Sequence, residues 1–360
     1  MLRYVLNKLL YGLLVILGVV VVVFFLFQVL PGDPAKMLVG ERTDLSTTEN
    51  IKKELGLDQP VMVQLLGYVN DISPLSVYNV SDEESFFYLG ATKKLHSITL
   101  LTIASRAMVL KLPYLRLSYQ TQRPVGEMIA QAFPKTLIIA LISMFFAVVL
   151  GITLGIVSAV HANSPLDKSL LVGSVLGMSL PSFFVAILLS WIFAYLLGHV
   201  THLNMTGSLF EIDDFGNGRI LTLKNMILPV VTLSIRPLAV ITELTRSSML
   251  DVMSMDYITT AKAKGLTRRN VIMRHALKNS LNPVISSSTS WLASLLAGTV
   301  FIEYVFDWKG MGTLIVASLD KYDMPVLMGC ILFISIILVI LNIISDLLYA
   351  VVDPRVKLNY

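Results

Sequence analysis

The sequence contains a single cysteine, Cys330, which excludes a disulfide within the chain and a metal site built from paired cysteines. Charged residues are also scarce: they form 14% of the 360 residues, whereas soluble domains have roughly 25%. Hydrophobic residues reach 55%, and several apolar runs have the roughly 20 residues needed to cross a bilayer. This composition predicts an integral membrane protein.

Sequence signatures of catalysis are missing as well. There is no G-x-x-x-x-G-K-[S/T] phosphate loop, no G-x-S-x-G and no H-E-x-x-H. His199 and His202 stand three residues apart, but no third metal ligand accompanies them in the sequence. We therefore expect neither enzymatic activity nor a metal or cofactor bound by this chain. The net charge of +4 comes largely from short loops, which indicates membrane topology and not nucleic-acid binding.

Six membrane spans are predicted from the apolar runs. A cleaved signal peptide is the alternative for the first run, but that run is longer than the roughly 7–15 residues of a signal-peptide core and lacks a small-x-small cleavage site. An uncleaved first helix is therefore favoured. The spans cover approximately residues 9–30, 135–160, 169–198, 226–250, 284–303 and 326–351.

The distribution of basic residues orients these spans. Segments on the side of the N-terminus carry eleven Lys and Arg residues, against four in the two short loops on the opposite side. The positive-inside rule then assigns both termini and the polar stretch 251–283 to the cytoplasm, and the long segment 31–134 to the outside. The expected organisation is an N-terminal helix (1–30), an extracytoplasmic insert (31–134) and a five-helix membrane core (135–360).

The insert is polar, with one apolar run at 98–110 that is too short to span a membrane and is interrupted by Arg106. We expect a buried or interfacial helix there. Within the spans, the Gly151/Gly155 and Gly173/Gly177 pairs permit close helix packing, either inside this subunit or against another. A proline at position 181 is expected to loosen the third span locally.

Three charged residues fall within the fourth predicted span: Arg236 near its middle, Glu243 seven residues later, and Arg246 within pairing range of Glu243. Ionisable residues inside a membrane usually mark function. Two interpretations stay open. The charges form a structural ion-pair column, or Arg236 lines a water-filled translocation path and meets anionic groups on a substrate.

The stretch 251–283 concentrates basic charge in an otherwise apolar half of the chain. It reads as two short helices broken at Gly265, with Asn282-Pro283 before the next apolar run. Because the chain lacks a nucleotide site, a basic cytoplasmic loop predicts a docking element for another protein. Its basic residues are Lys262, Lys264, Arg268, Arg269, Arg274 and Lys278.

These features resemble the permease subunits of ABC importers. DYITTAKAKGL (256–266), RHALKN (274–279) and NP (282–283) are similar to the coupling loop of the dipeptide/oligopeptide/nickel branch, with Thr259-Thr260-Ala261 where the general form has Glu-Ala-Ala. Residues 68–115 match poorly and look like an enlarged extracytoplasmic insert, while Lys309 and Arg236 depart from the usual proline and apolar residue. Further similar blocks are LPGDP (30–34), LGLDQP (55–60), RPV (123–125), LPSF (180–183), LTRSSML (244–250), VFDWKGMG (305–312), DLLYA (346–350) and DPR (353–355).

The resemblance implies an all-α bacterial inner-membrane protein with the six-helix type I ABC importer permease fold, of the first-permease type. It implies a homologous second permease, two ABC ATPase subunits that bind ATP and Mg²⁺, and an extracytoplasmic solute-binding protein as partners. Peptides are the expected substrate. Nickel or another small solute is the alternative within the family, and a secondary transporter or channel is the alternative from another class.

The resemblance also implies two functional regions. One is an extracytoplasmic gate or binding-protein contact at Glu303, Asp307, Trp308 and Gly310. The other is the ATPase-coupling surface at Tyr257, Ala261, Lys262, Lys264, Gly265, Arg268, Arg274 and His275.

Overall fold

A computed structural model describes residues 2–29, 49, 52–53, 55–83, 85–94, 96–212 and 218–352. The sequence blocks at 30–34 and 353–355 lie outside the described residues. The chain divides into two compact units. The first unit comprises Met1–Gly12, Ala132–Thr313 and Ile336–Tyr360, and the second comprises Leu13–Gln131 and Leu314–Ser335.

Among the described residues, four helices are long and apolar enough to cross a membrane. They correspond to the first, second, fourth and sixth predicted spans. The second of them begins ten residues before the predicted start, because Pro134 is accommodated within the helix. The four helices are α1 (Leu2–Val29), α4 (Val125–Val160), α8 (Ile227–Met253) and α15 (Met324–Val352).

The third predicted span is not one straight helix. Helix α5 (Pro165–Ser179) and helix α6 (Ser182–Leu189), which continues as a π-helical stretch (Ser190–Leu196), meet at 108°. Leu180, the residue before Pro181, takes an extended conformation with φ −76° and ψ 135°, as the proline ring requires. The bend is therefore much sharper than the local loosening that the sequence predicted.

The fifth predicted span, 284–303, corresponds to α12 (Asn282–Gly298) and the start of α13 (Val300–Val305). Helix α14 (Met311–Asp320) follows beyond it. Helix α12 has 17 residues, so it is about 25 Å long, short of the roughly 30 Å of a bilayer core. It is also rich in serine. A count of six spans therefore stays a prediction.

Helix α8 lies at the centre of the first unit and packs closely against α4. An added Cβ at Gly151 would come within 2.8 Å of Ile241, and one at Gly155 within 2.5 Å of Thr245. Gly177 of α5 likewise faces α8, whereas a side chain at Gly173 would meet open space. Three of these four glycines thus serve packing within the subunit.

In the second unit, α2 (Val61–Ile72) packs Tyr68 against residues of α1 and α15, including Phe24 and Met328. The strands β1 (Leu75–Asn79), β2 (Ser97–Ile103) and β3 (Arg106–Lys111) follow, with the short helix α3 (Ala91–Lys94) before β2. The sheet order is β1-β3-β2, and both pairings are antiparallel.

The helix expected over 98–110 is wrong: this run forms the β2–β3 hairpin. The two strands meet through a turn in which Ala104 adopts φ +54°. Ala107 and Val109 face the interior, whereas Met108 and Leu110 are exposed. Because apolar residues occupy both faces of β3, the alternation typical of a strand is hidden in the sequence.

The remaining elements are short. They are α7 (Gly198–Thr201), the paired strands β4 (Phe210–Ile212) and β5 (Arg219–Leu221), a 3₁₀ turn (Leu223–Met226), α9 (Asp256–Ala263), α10 (Arg268–Asn270), a π-helical stretch (Val271–Ala276) and α11 (Leu277–Ser280).

Candidate functional site

The stretch 251–283 forms two helical arms that meet at Gly265, as predicted. Helix α9 is the first arm, and the continuous run from Arg268 to Ser280 is the second. Gly265 adopts φ +77°, while an added Cβ there would meet open space. Glycine is therefore required by the left-handed backbone and not by packing. Pro283 does not end this region but stands in the first turn of α12.

Helix α9 is fixed to the membrane helices through one face. Ile258 and Ala261 lie three residues apart and are 0% and 5% exposed. They belong to an apolar cluster with Ala159 of α4, and with Met249 and Val252 of α8. Ala261 belongs to the expected ATPase-coupling surface; it is buried in this cluster, and its part in coupling stays a prediction. A force applied to α9 would reach α4 and α8 through this cluster.

The opposite face of the loop is exposed and carries the other expected residues. Tyr257 is 37% exposed, and its hydroxyl accepts a hydrogen bond from Asn279 Nδ2 at 2.8 Å, which holds the ring in place. Met255, Leu266 and Met273 are exposed beside it. Aromatic, Met and Arg side chains are enriched at protein interfaces. Lys262, Lys264, Arg268, Arg269, Arg274 and Lys278 are exposed, and His275 is half-buried.

Arg268 also has an internal role. Its Nη2 donates to the carbonyl of Val160 at 3.0 Å, at the C-terminal end of α4. Basic side chains commonly satisfy the free carbonyls at a helix end. This contact ties the second arm of the loop to a membrane helix, so Arg268 is less free than Lys264 or Arg269 to meet a partner.

A buried ion pair supports the same end of the first unit. Arg246 Nε and Nη2 donate to Asp167 Oδ1 and Oδ2 at 2.6 and 2.8 Å. Asp167 also accepts from the backbone N–H of Asn163 at 2.8 Å and from the Ser158 hydroxyl. The sequence placed Arg246 within pairing range of Glu243, whereas in the structure its guanidinium hydrogen-bonds to Asp167. Asp167 was missed because it stands 79 positions from Arg246.

Arg236 lies on α8, exposed, beside the bend between α5 and α6. Its Nη2 donates to the carbonyl of Met178 at 3.3 Å. In an unbroken helix that carbonyl would accept from residue 182, but the bend at Pro181 removes this bond. Arg236 therefore satisfies a carbonyl that the bend sets free. Glu243 is also exposed, two turns further along α8.

The expected gate residues are brought together, but three of the four, Glu303, Trp308 and Gly310, are buried. Glu303 and Trp308 are each 0% exposed. Glu303 Oε1 accepts from the Thr136 hydroxyl and Oε2 from the Gly312 N–H, both at 2.6 Å, while Trp308 Nε1 donates to the carbonyl of Lys135 at 3.1 Å. Gly310 packs directly on this carboxylate. Asp307 is exposed and pairs with Lys309 at 2.6 Å.

Two family models match the chain. "Binding-protein-dependent transport system inner membrane component" matches residues 151–358, and the N-terminal domain model of the same membrane components matches residues 1–107. The matches place the stretch 251–283 inside the first model and the insert largely inside the second.

Full-length relatives are similar to this chain. The dipeptide transport system permease protein DppB of Alkalihalophilus pseudofirmus is 31% identical and is covered completely, with 99% of this chain aligned. The glutathione transport system permease protein GsiC of Salmonella choleraesuis is 33% identical, with 99% of both chains aligned.

A solved structure confirms the fold. A chain from the inward-facing MetNI methionine ABC transporter superimposes with a TM-score of 0.51 at 16% identity, covering 63% of this chain and 97% of that one. The expected type I ABC importer permease fold is thereby confirmed. With more than half of the sequence inside one family model and relatives above 30% identity over the full length, the chain belongs to the family of binding-protein-dependent transport system inner membrane components.

Proposed function

We propose that this chain forms part of the translocation path for peptides in an ATP-driven importer, and that the stretch 251–283 docks a partner ATPase. The observation that carries the proposal is the two-sided construction of α9. Ile258 and Ala261 fix one side in the apolar cluster, while Tyr257 and the basic residues stay exposed on the other. A helix held in this way transmits movement of a partner into α4 and α8.

The exposed charges indicate the chemistry of that partner. Lys264 and Arg269 are exposed at the junction of the two arms, so an acidic cleft on the ATPase would complement them. The complete importer would contain a homologous second permease, two ATPases and an extracytoplasmic binding protein. Both termini of this chain would lie in the cytoplasm.

Peptides are proposed as substrate because the DppB relative carries dipeptides and the GsiC relative glutathione, according to their names. Within the membrane, Arg236 and Glu243 are the proposed path residues, since both are charged and exposed on α8. Outside it, Asp307 is the gate residue available to a binding protein, whereas Glu303, Trp308 and Gly310 brace the loop that carries it.

The test is charge reversal on the exposed face of the stretch 251–283, called here the docking face. The double variant Lys264→Glu/Arg269→Glu is compared with Lys224→Glu, an exposed lysine in the 3₁₀ turn before α8. We expect the double variant to lose both ATPase co-purification and ATP-driven peptide uptake, and Lys224→Glu to keep both. Normal ATPase binding and uptake in the double variant would overturn the docking role.

A further inference from the structure

The insert of the second unit contains an open cleft of about 1000 Å³. This volume is in the range of small-molecule sites. Its wall combines charged and aromatic side chains from α2, α3 and the segments that flank the sheet. Its lining includes Asp71, Glu83, Phe86, Lys93, Tyr114 and Arg116.

Lys93 and Arg116 meet the buried carboxylate of Asp71 on the inner wall of the cleft. Asp71 is 3% exposed and accepts from Arg116 Nε at 2.8 Å, Lys93 Nζ at 3.0 Å and the Tyr78 hydroxyl at 2.8 Å. The ammonium of Lys111 donates to the backbone carbonyl of Asp71. Burial alone would raise the pKa of Asp71, but Arg116 and Lys93 outweigh it and lower the pKa. One carboxylate thus stands among three cations, of which Lys93 and Arg116 line the cleft while Lys111 is buried, so the group around Asp71 has excess positive charge.

Two of these cations keep donors for a ligand. An ammonium has three N–H donors and a guanidinium five, and the Asp71 carboxylate takes one from Lys93 and one from Arg116. Both side chains line the cleft and are partly exposed, at 18% and 21%. A carboxylate on a ligand would complete their hydrogen bonds and balance their charge.

The rest of the wall suits a small peptide. Phe86 and Tyr114 provide apolar surface, and Glu83 places a carboxylate on the exposed rim. A smaller cavity of about 30 Å³ shares Phe86 and Arg116 with the cleft. It is also lined by Tyr68, whose hydroxyl is buried and has no hydrogen-bond partner among the described residues. This hydroxyl is an unused polar group beside Arg116.

We propose that the cleft binds a short peptide with free termini, its carboxylate on Lys93 and Arg116 and its ammonium group toward Glu83. The cleft would be a staging site on the permease itself, outside the membrane path. The substrate class rests on the proposed function, but the site is independent of the ATPase-docking loop.

The experiment uses the assembled transporter in lipid nanodiscs without its binding protein. The probe is the tripeptide Ala-(p-benzoyl-Phe)-Ala, and the labelled segments are identified by mass spectrometry. We expect label on segments 83–93 or 114–122, displaced by trialanine but not by trialanine amide. No label in the insert, or equal displacement by the amide or by inorganic phosphate, would overturn the proposal.

Adjacent lysines supply a matched pair of variants. Lys93 lines the cleft, whereas Lys94 is exposed outside it. Loss of one charged hydrogen bond should weaken trialanine binding about tenfold in Lys93→Gln and leave it unchanged in Lys94→Gln. Equal affinities in the two variants would contradict the site.

A rim variant covers the case in which Lys93→Gln does not assemble. Glu83→Gln should lose the preference for trialanine over N-acetyl-trialanine, and a retained preference would remove Glu83 from the site. If the cleft binds no peptide while uptake still depends on Lys264 and Arg269, this proposal fails and the proposed function stands.

Discussion

Arg246 and Asp167 form a bidentate ion pair, with N–O distances of 2.6 and 2.8 Å. The pair joins the first turn of α5 to α8, only five residues before the docking stretch begins at Asp251. Asp167 is 1% exposed and is held by Asn163 and Ser158 as well. The ion pair therefore fixes the membrane helices on which α9 rests.

Replacing one member of this ion pair should destabilise the protein disproportionately, compared with replacing both members together. Asp167→Asn or Arg246→Gln alone leaves a poorly compensated charge, which costs roughly 3–5 kcal/mol when a buried pair is broken. We expect each single variant to lower the apparent melting temperature of the purified transporter strongly. The double variant should lose less than the sum of the two. Strictly additive losses in this double-mutant cycle would contradict direct coupling.

A second prediction concerns Gly265, where glycine is required only because the backbone is left-handed. A side chain there meets open space but must accept φ +77°, which costs about 1–2 kcal/mol for most residues and less for Asn. ATP-driven uptake should be highest in the native protein and fall progressively in Gly265→Asn, Gly265→Ala and Gly265→Val. Hydrogen exchange of α9 should rise in the same order. Equal uptake in Gly265→Asn and Gly265→Val would show that the left-handed turn is unimportant.

Variants of Arg236 distinguish a structural role of this side chain from a role in contacting the substrate. If the side chain only satisfies the Met178 carbonyl, Arg236→Met should slow uptake of all peptides equally. If it also meets a substrate carboxylate, uptake of trialanine should fall at least about tenfold more than uptake of trialanine amide. Arg236→Lys keeps the charge and should retain most of the preference. We predict the selective loss, and an unchanged ratio in Arg236→Met would exclude Arg236 from substrate contact.

Lys111 should make the stability of the insert depend on pH. Burial lowers the pKa of this ammonium from 10.5 to about 8 in the folded chain. Between these values the unfolded state binds more protons than the folded state, so stability rises as pH increases from about 8 toward 10. Between about pH 7 and pH 9.5, the gain in melting temperature should therefore be larger in the native chain than in Lys111→Met. Identical gains in both proteins would show that the pKa of Lys111 is not lowered in the folded chain.

The features that sequence predicted well depend on local signals. The apolar runs of α1, α4, α8 and α15 are long enough to identify a span without knowledge of their neighbours. The break at Gly265 is equally local, because glycine between two short helical patterns indicates a left-handed residue. The exposure of Lys264 and Arg269 follows from their charge.

The features that sequence missed depend on distant contacts. Asp167 meets Arg246 across 79 positions, Met178 meets Arg236 across 58, and Thr136 meets Glu303 across 167. In the sequence, nothing marks Asp167 or Thr136 as a partner, and the Met178 group is a backbone carbonyl that every residue has. The β2–β3 hairpin was missed for another reason, since exposed apolar residues on one face obscure its period of two. Tertiary packing, not local propensity, decides all of these.

The most direct test of the account is a crosslink from the docking face. A photoreactive p-benzoyl-phenylalanine is placed at Lys264 in the assembled transporter, and at Lys224 as the control. The account predicts that position 264 crosslinks to the ATPase, in an amount that changes when ATP binds, and that position 224 does not. An assembled transporter in which position 264 never reaches the ATPase would contradict it.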